Sequence, residues 1–385
     1  MQRRAFVRLV GGGSIAAALP PLAGCSQAMP PEAVAAWQGP GAEPDLRRWI
    51  LAHAILAPHS HNLQSWLVDL RTPGQILLRC DRERLLPATD PFGRQIMMSH
   101  GTFLELLDLA ARERGQRAGI TLFPDGEFDP QRIDDHPVAL VRLQPDPTVA
   151  RDPLFAHILR RHTNRNVYDP ARPIPDAAWQ AMAAAAARDG LRFGHTAAGD
   201  AQLPRQREIA AEAWRIEMVT PAAMLESFQV LRIGTAEIAR HRDGLSLTDP
   251  FVVAMTRLGL FDRTKAPAPD SMTVRQQIDD FGKKIASTPA FLWMVSEGNR
   301  RTTQVEAGRA YARVQLAATA HGIAMQPLQQ SLQEYREQAG PYAAIHALLQ
   351  APPPAHTVQM WARVGFAEAV GPAPRRGLDA HLVKA

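Results

Sequence analysis

Cysteine is nearly missing from this chain: its 385 residues contain two, Cys25 and Cys80. A disulfide framework and a thiolate metal cluster are therefore excluded. His53, His59, His61 and Cys80 have no carboxylate or second cysteine at ligand spacing, which argues against a metal site built on them. Neither a G-x-S-x-G elbow nor a phosphate-cradling P-loop occurs. No stretch approaches the length of about eighteen consecutive apolar residues that a spanning helix needs. The formal net charge is +5, but no aromatic platform is interleaved with basic residues, so the chain lacks the footprint of a nucleic-acid binder.

What is present begins with a targeting pattern. Arg3-Arg4-Ala5-Phe6-Val7-Arg8, a short apolar run to Leu19, and Leu22-Ala23-Gly24-Cys25 read as a twin-arginine export signal ending in a lipobox over residues 1–25. Cys25 would carry the lipid, and the protein would be periplasmic, touching a membrane only through that anchor. Residues 26–44, rich in Pro, Gly and Ala, are expected to be a flexible tether.

The remaining chain contains an internal match. Gly101 to Ala111, followed by Gly115, aligns without a gap on Gly308 to Ala318, followed by Gly322. Leu109-Ala110-Ala111 and Leu316-Ala317-Ala318 fall at identical offsets. Each segment predicts a buried helix of about fourteen residues closed by a left-handed glycine. Strand candidates lie upstream of each, at Gln75–Cys80 and Ala290–Val295, which predicts two related halves, 45–146 and 148–385. The helical stretches Asp200–Arg215 and Pro221–Arg242 belong to the second half alone, and Arg242 to Met272, broken by Gly and Pro, is read as a mobile lid.

Three polar stretches stand out. After a helix from Asp45 to Ile55, halted by Pro58, the loop His59-Ser60-His61-Asn62-Leu63-Gln64-Ser65-Trp66 places Ser60, Asn62 and Gln64 at alternate positions. In an extended loop they would share one side and suit a planar ring with donors and acceptors at its edge; a self-capping polar turn is the plainer alternative. Arg160-Arg161-His162-Thr163-Asn164-Arg165 offers guanidinium forks and a hydroxyl for a phosphate, or else a solvated basic face. Pro372-Ala373-Pro374-Arg375-Arg376 adds a second basic cluster after a strand-like run.

These stretches resemble, in order, three signatures of the nitroreductase superfamily, and in particular its Acg-type branch. Ala57-Pro58-x-Ser60-His61-Asn62-x-Gln64-x-Trp66 is similar to the loop "APSSHNxQPW", with His59 for the usual Ser and Ser65 for the usual Pro. Arg161-His162-Thr163-x-Arg165 resembles the flavin signature "R-(R/H)-S-x-(K/R)", and Arg375-Arg376 the closing "P-R-(R/K)". The resemblance implies an α+β, nitroreductase-like fold whose two halves form a fused pseudo-dimer around a central sheet with surrounding helices, and hence a monomer. It implies FMN held by Ser60, Asn62 and Gln64, by Arg161, His162, Thr163 and Arg165, and by Arg375 and Arg376. Arg161 and Thr163 would take the phosphate or ribityl end, and Arg165 the pyrimidine edge. It further implies hydride transfer at flavin N5 from NAD(P)H or another donor to an unknown acceptor; the competing role is FMN sequestration without turnover. No side chain is singled out as a catalytic acid or base.

Overall fold

A computed structural model describes residues 28–384; the expected export signal, the lipobox and Cys25 lie outside the described residues. The first described element is α1, Pro31–Val34, opened by proline where its missing N–H is no loss, and it runs into a 3₁₀ turn, Ala35–Gln38. α2, Leu46–Ala54, is capped by Asp45, whose carboxylate accepts from the N–H groups of Arg47 and Arg48 at 2.8 and 3.3 Å. Then come β1 Trp66–Asp69, β2 Gln75–Cys80, α3 Arg94–Glu113, β3 Gln116–Leu122 and β4 Ala139–Pro145. Beyond a 3₁₀ stretch lie α4 Asp176–Ala186, β5 Leu191–Thr196, α5 Leu203–Val219, α6 Pro221–Gln229, β6 Leu231–Ile233, α7 Gly234–His241, β7 Leu245–Leu247, α8 Pro250–Arg257 and α9 Met272–Ala286. The order closes with β8 Ala290–Glu297, α10 Arg301–Ala320, β9 Ala324–Pro327, α11 Ala339–Leu348 and β10 His356–Gly365.

The fold is α+β, but the expected central sheet is two sheets. One runs β1-β2-β4-β3 and the other β5-β8-β10-β9, each antiparallel throughout. β6 and β7 form a separate parallel pair. The strand orders match element for element, with α3 and α10 at the same place in each. β1 and β2 are joined by a short turn, whereas α5 to α9 intervene between β5 and β8.

No ladder joins the sheets because two helices lie between them. Val305, Ala312 and Leu316 of α10 pack into the apolar core of the first sheet, and Met98 of α3 packs into that of the second. The helices cross at the two aligned glycines. A Cβ on Gly101 would collide with the Val305 carbonyl oxygen, and one on Gly308 with that of Met98. The relation is reciprocal, since each glycine faces the carbonyl three residues before the other.

Both helices are longer than the apolar pattern predicts, spanning twenty residues each. The added turns begin with buried arginines that reach across. Arg94 donates to the carbonyls of Leu332 and Gln359 at 2.7 and 2.9 Å, and Arg301 to those of Asp129 and Pro130 at 2.9 and 3.1 Å. Gly115 and Gly322 end the helices region at φ +63° and +67°, as expected.

Two expectations are corrected. The described part of the tether is folded: Ala33 and Trp37 are buried, and the Trp37 indole N–H donates to the Ala373 carbonyl at 2.8 Å. The lid candidate is also folded, because Val252, Val253 and Phe261 share a core with Met218 and Phe228.

Gly101→Ala and Gly308→Ala are each expected to cost about 1–3 kcal/mol of stability through overpacking. Because both relieve themselves by the same separation of α3 from α10, the double variant should cost less than the sum, as measured by urea denaturation.

Candidate functional site

The loop that follows α2 is not extended. Ser60–Asn62 is a 3₁₀ turn, and His61, Asn62 and Gln64 have φ of +46°, +55° and +56°. Left-handed backbone costs an L-residue roughly 1–2 kcal/mol, so three such residues in four persist because the surroundings fix them. Asn62 Oδ1 accepts from Arg375 Nη1, and Asn62 Nδ2 donates to the carbonyls of Pro374 at 3.0 Å and Gly244 at 3.3 Å. Gln64, fully buried, donates to the Arg242 carbonyl at 3.0 Å and accepts the Arg376 N–H at 2.9 Å. Ser60 goes elsewhere: its N–H donates to Ser99 Oγ at 3.2 Å and its hydroxyl to Gln95 Oε1 at 3.3 Å, both on α3.

The two unusual residues of this loop bond to each other. His59 Nε2 accepts the Ser65 N–H at 3.1 Å and meets its hydroxyl at 2.7 Å, while Nδ1 meets the Ser60 carbonyl at 2.8 Å. Proline at position 65 could make neither bond, having no N–H and no hydroxyl.

The basic clusters converge on the same loop. Arg161 Nη2 and Arg375 Nη2 both donate to the Leu56 carbonyl, at 2.9 and 3.3 Å, and Arg375 also reaches the Ala57 carbonyl at 3.1 Å. Arg161 Nη1 donates to Gln315 Oε1 of α10 at 3.0 Å. Both guanidiniums are almost completely buried, at 2 % and 4 % exposure. Neither has a carboxylate within ion-pair distance among the described residues, and each Nε lacks a hydrogen-bond partner there. Burial pushes Arg161 down to about 10 and Arg375 well below its ordinary range, as expected for buried charge without a counter-ion.

His162 bonds through Nδ1 to the Val370 carbonyl at 3.0 Å and sits edge-on to Trp37, 5.1 Å between ring centres. The Thr163 hydroxyl is 3.5 Å from Gln315 Nε2. Arg165 is exposed, and the protein packed around it lowers its guanidinium from the ordinary value. His61 and Tyr311 lie within electrostatic reach of it; His61 Nδ1 and the Tyr311 hydroxyl are buried and lack partners among the described residues. Burial, and then the Arg165 charge, bring His61 down to about 4.

The structure thus joins Asn62, Gln64, Arg375 and Arg376 through direct bonds and brings in Arg161 through the Leu56 carbonyl it shares with Arg375, with His162, Thr163 and Arg165 adjoining and Ser60 tied to α3. Sequence reading missed Trp37, hidden in a low-complexity stretch, and Gln315 and Tyr311, which fall within an apolar helix pattern. A groove of about 510 Å³ lined by Tyr168, Asp169, Arg172, His321 and Phe366 lies beyond the Arg161–Arg165 turn and holds none of this cluster. Unpaired buried guanidiniums beside orphaned hydroxyl and imidazole groups can hold an anion attached to a polar ring.

The His59–Ser65 pair predicts a coupled response. Ser65→Pro should cost about 1–3 kcal/mol beside His59, by leaving Nε2 unsatisfied, and distinctly less beside His59→Ser; a double-mutant cycle by thermal or urea unfolding checks this.

Stability should also fall with acidification. Burial lowers His59 well below its ordinary value, His100 and His346 to about 4, and His381 to about 3, and His61 lies likewise at about 4. The unfolded chain binds the extra protons, so this contribution is present above about pH 6.5 and is lost as pH falls toward 4. Asp90 and Glu217, raised by burial to about 6 and about 7, act in the opposite sense, losing stability as pH rises. Five histidines outweigh two carboxyls, so the denaturation midpoint is expected to be lower at pH 5 than at pH 7.

The chain is 28 % identical over 341 residues to a protein of Mycobacterium tuberculosis H37Rv named "Putative NAD(P)H nitroreductase", covering 86 % of this chain and 89 % of the relative. Its counterpart in strain CDC 1551 matches to the same extent. No family model matches. Solved structures that overlay in part include the FMN-dependent nitroreductase NfnB of Mycobacterium smegmatis in complex with NADPH, at 16 % identity and TM-score 0.36, over 59 % of this chain and 95 % of that one. A nitroreductase with bound FMN from Bacteroides fragilis overlays at 15 % identity and TM-score 0.32, over 56 % and 89 %.

Proposed function

We propose that this chain is a flavoprotein of the nitroreductase superfamily, an Acg-type FMN-binding oxidoreductase that takes electrons from NAD(P)H or another donor and delivers them to a second substrate. The observation that carries this reading is the pair of buried guanidiniums, Arg161 and Arg375, facing the Leu56–Gln64 loop without a carboxylate. The likeness to mycobacterial proteins named as NAD(P)H nitroreductases supports the reaction class and the donor.

The residues fit FMN by their chemistry. The free Nε–H groups of Arg161 and Arg375 are donors awaiting an acceptor, and a phosphomonoester supplies both the acceptor oxygens and the missing negative charge. In this reading Arg161, Thr163, Arg375 and Arg376 hold the phosphate and ribityl end. Asn62 and Gln64 orient Arg375 and Arg376, His162 braces the turn against Val370, Ser60 anchors the loop to α3, and Arg165 stands at the pyrimidine edge. Bound there, FMN would supply two-electron chemistry at N5. Positive charge on Arg165 would favour the added electrons, and the neighbouring His61 and Tyr311 present groups able to hydrogen-bond at the ring edge.

The same reading makes the chain a fused pseudo-dimer that functions as a monomer, with halves 45–146 and 148–385. The matched strand orders and the reciprocal glycine crossing support it. It also makes the protein an exported periplasmic lipoprotein, on the strength of the twin-arginine pattern and Cys25.

Visible absorption of the purified protein tests the proposal. A flavin band that bleaches on anaerobic addition of NADPH is expected, and Arg161→Gln should carry substoichiometric flavin. A band that bleaches with dithionite but not NADPH would point to FMN storage or another donor; failure of the wild type to bind FMN would overturn the reading.

A further inference from the structure

We infer that the short turn Pro31–Gln38 is a strap closing the phosphate end of the flavin site, and that Trp37 and Arg242 are binding residues at that end. This rests on the flavin reading above and extends it to residues outside all three motifs.

Trp37 stacks against the charge the ligand would neutralise. Its indole lies over the guanidiniums of both Arg161 and Arg375, at 5.5 and 5.2 Å from the ring centre, and edge-on to His162. By excluding water from two cations it strengthens their attraction for an anion placed between them. Two hydrogen bonds fix the strap to the Arg375 segment: Trp37 Nε1 to the Ala373 carbonyl, and the Arg375 N–H to the Ala33 carbonyl, both at 2.8 Å.

Beside the turn lies a recess of about 200 Å³, walled by Ala35, Ala36, Ile55, Leu378, Arg242 and Arg375. Small residues leave room there, and two arginines stand in its wall. Arg242 ends α7 at φ +54°, donates through Nε to the Ala239 carbonyl at 3.0 Å, and has no carboxylate within ion-pair distance among the described residues. Its own carbonyl accepts from Gln64, so its position is set by the loop that forms the site. Glu32, exposed on the rim, disfavours a second anionic group at the mouth. The recess therefore suits a terminal phosphomonoester rather than an extended diphosphate.

The strap joins α2 through glycines. Within Pro31–Gln38, Ala33 and Trp37 alone are buried, and Gly39 and Gly41 follow at φ +78° and +57°, so the turn separates from α2 at glycines that tolerate a change of backbone.

The test is binding and release of FMN and of riboflavin, which lacks the phosphate, by wild type, Trp37→Ala and Arg242→Gln, followed by flavin fluorescence. Trp37→Ala is expected to release FMN about tenfold faster and Arg242→Gln to bind it about tenfold more weakly, as for loss of one charge-assisted contact, with riboflavin binding unchanged in both. Equal losses for FMN and riboflavin, or unchanged FMN binding in Arg242→Gln, would overturn the strap. If the wild type binds FMN and neither variant differs from it, the flavin reading stands and the strap falls. If the wild type does not bind FMN, both fall.

Discussion

Everything described depends on how closely α3 and α10 approach. At Gly101 and Gly308 each backbone lies in contact with the other's carbonyl, a separation that admits no side chain. That closeness sets the distance between the sheets and lets Arg94 and Arg301 reach carbonyls on the far side of the crossing. It also fixes the site, because Gln95 and Ser99 on α3 anchor Ser60, whereas Tyr311 and Gln315 on α10 face the Arg161 turn. A loop from one half and a basic turn from the other thus meet along the helix pair. Glu105 of α3 reinforces the pair, as its buried carboxylate receives Arg309 and Arg313 of α10 at 2.9 Å and Arg188 at 2.7 Å.

The electrostatics of the two ends of this helix pair contrast. Around Glu105 three arginines are balanced by four acids, Glu105 itself with Glu306, Asp108 and Asp152. Around Leu56 two arginines share a carbonyl and no acid is at hand. The first has a buried acid with partly exposed arginines and is balanced within the fold, whereas the second is a pair of buried arginines with no carboxylate at ion-pair distance among the described residues.

The sequence made much of this legible where a residue's chemistry is local. The aligned glycines disclosed the paired helices, and the three polar stretches that converge in the fold could be named from their residues. Their convergence could not, since it depends on contacts such as Asn62 with Arg375, 313 positions apart. The alternating polar residues leave the loop open between an extended segment and a polar turn, and three left-handed residues make it a turn. Helix ends were missed because Arg94 and Arg301 look like surface residues until their distant carbonyl partners are known. Trp37 was overlooked because a Pro-, Ala- and Gly-rich background masks a single anchoring aromatic.

The tie between Trp37 and Ala373 joins residues 336 positions apart. During synthesis at about 5–20 residues per second, Trp37 waits on the order of tens of seconds before its partner exists, and Arg161 waits about two thirds as long for Arg375. The first described turn of the molecule is therefore among the last to find its place, and a nascent chain, however well its helices have paired, cannot complete this tie until residue 373 has left the ribosome.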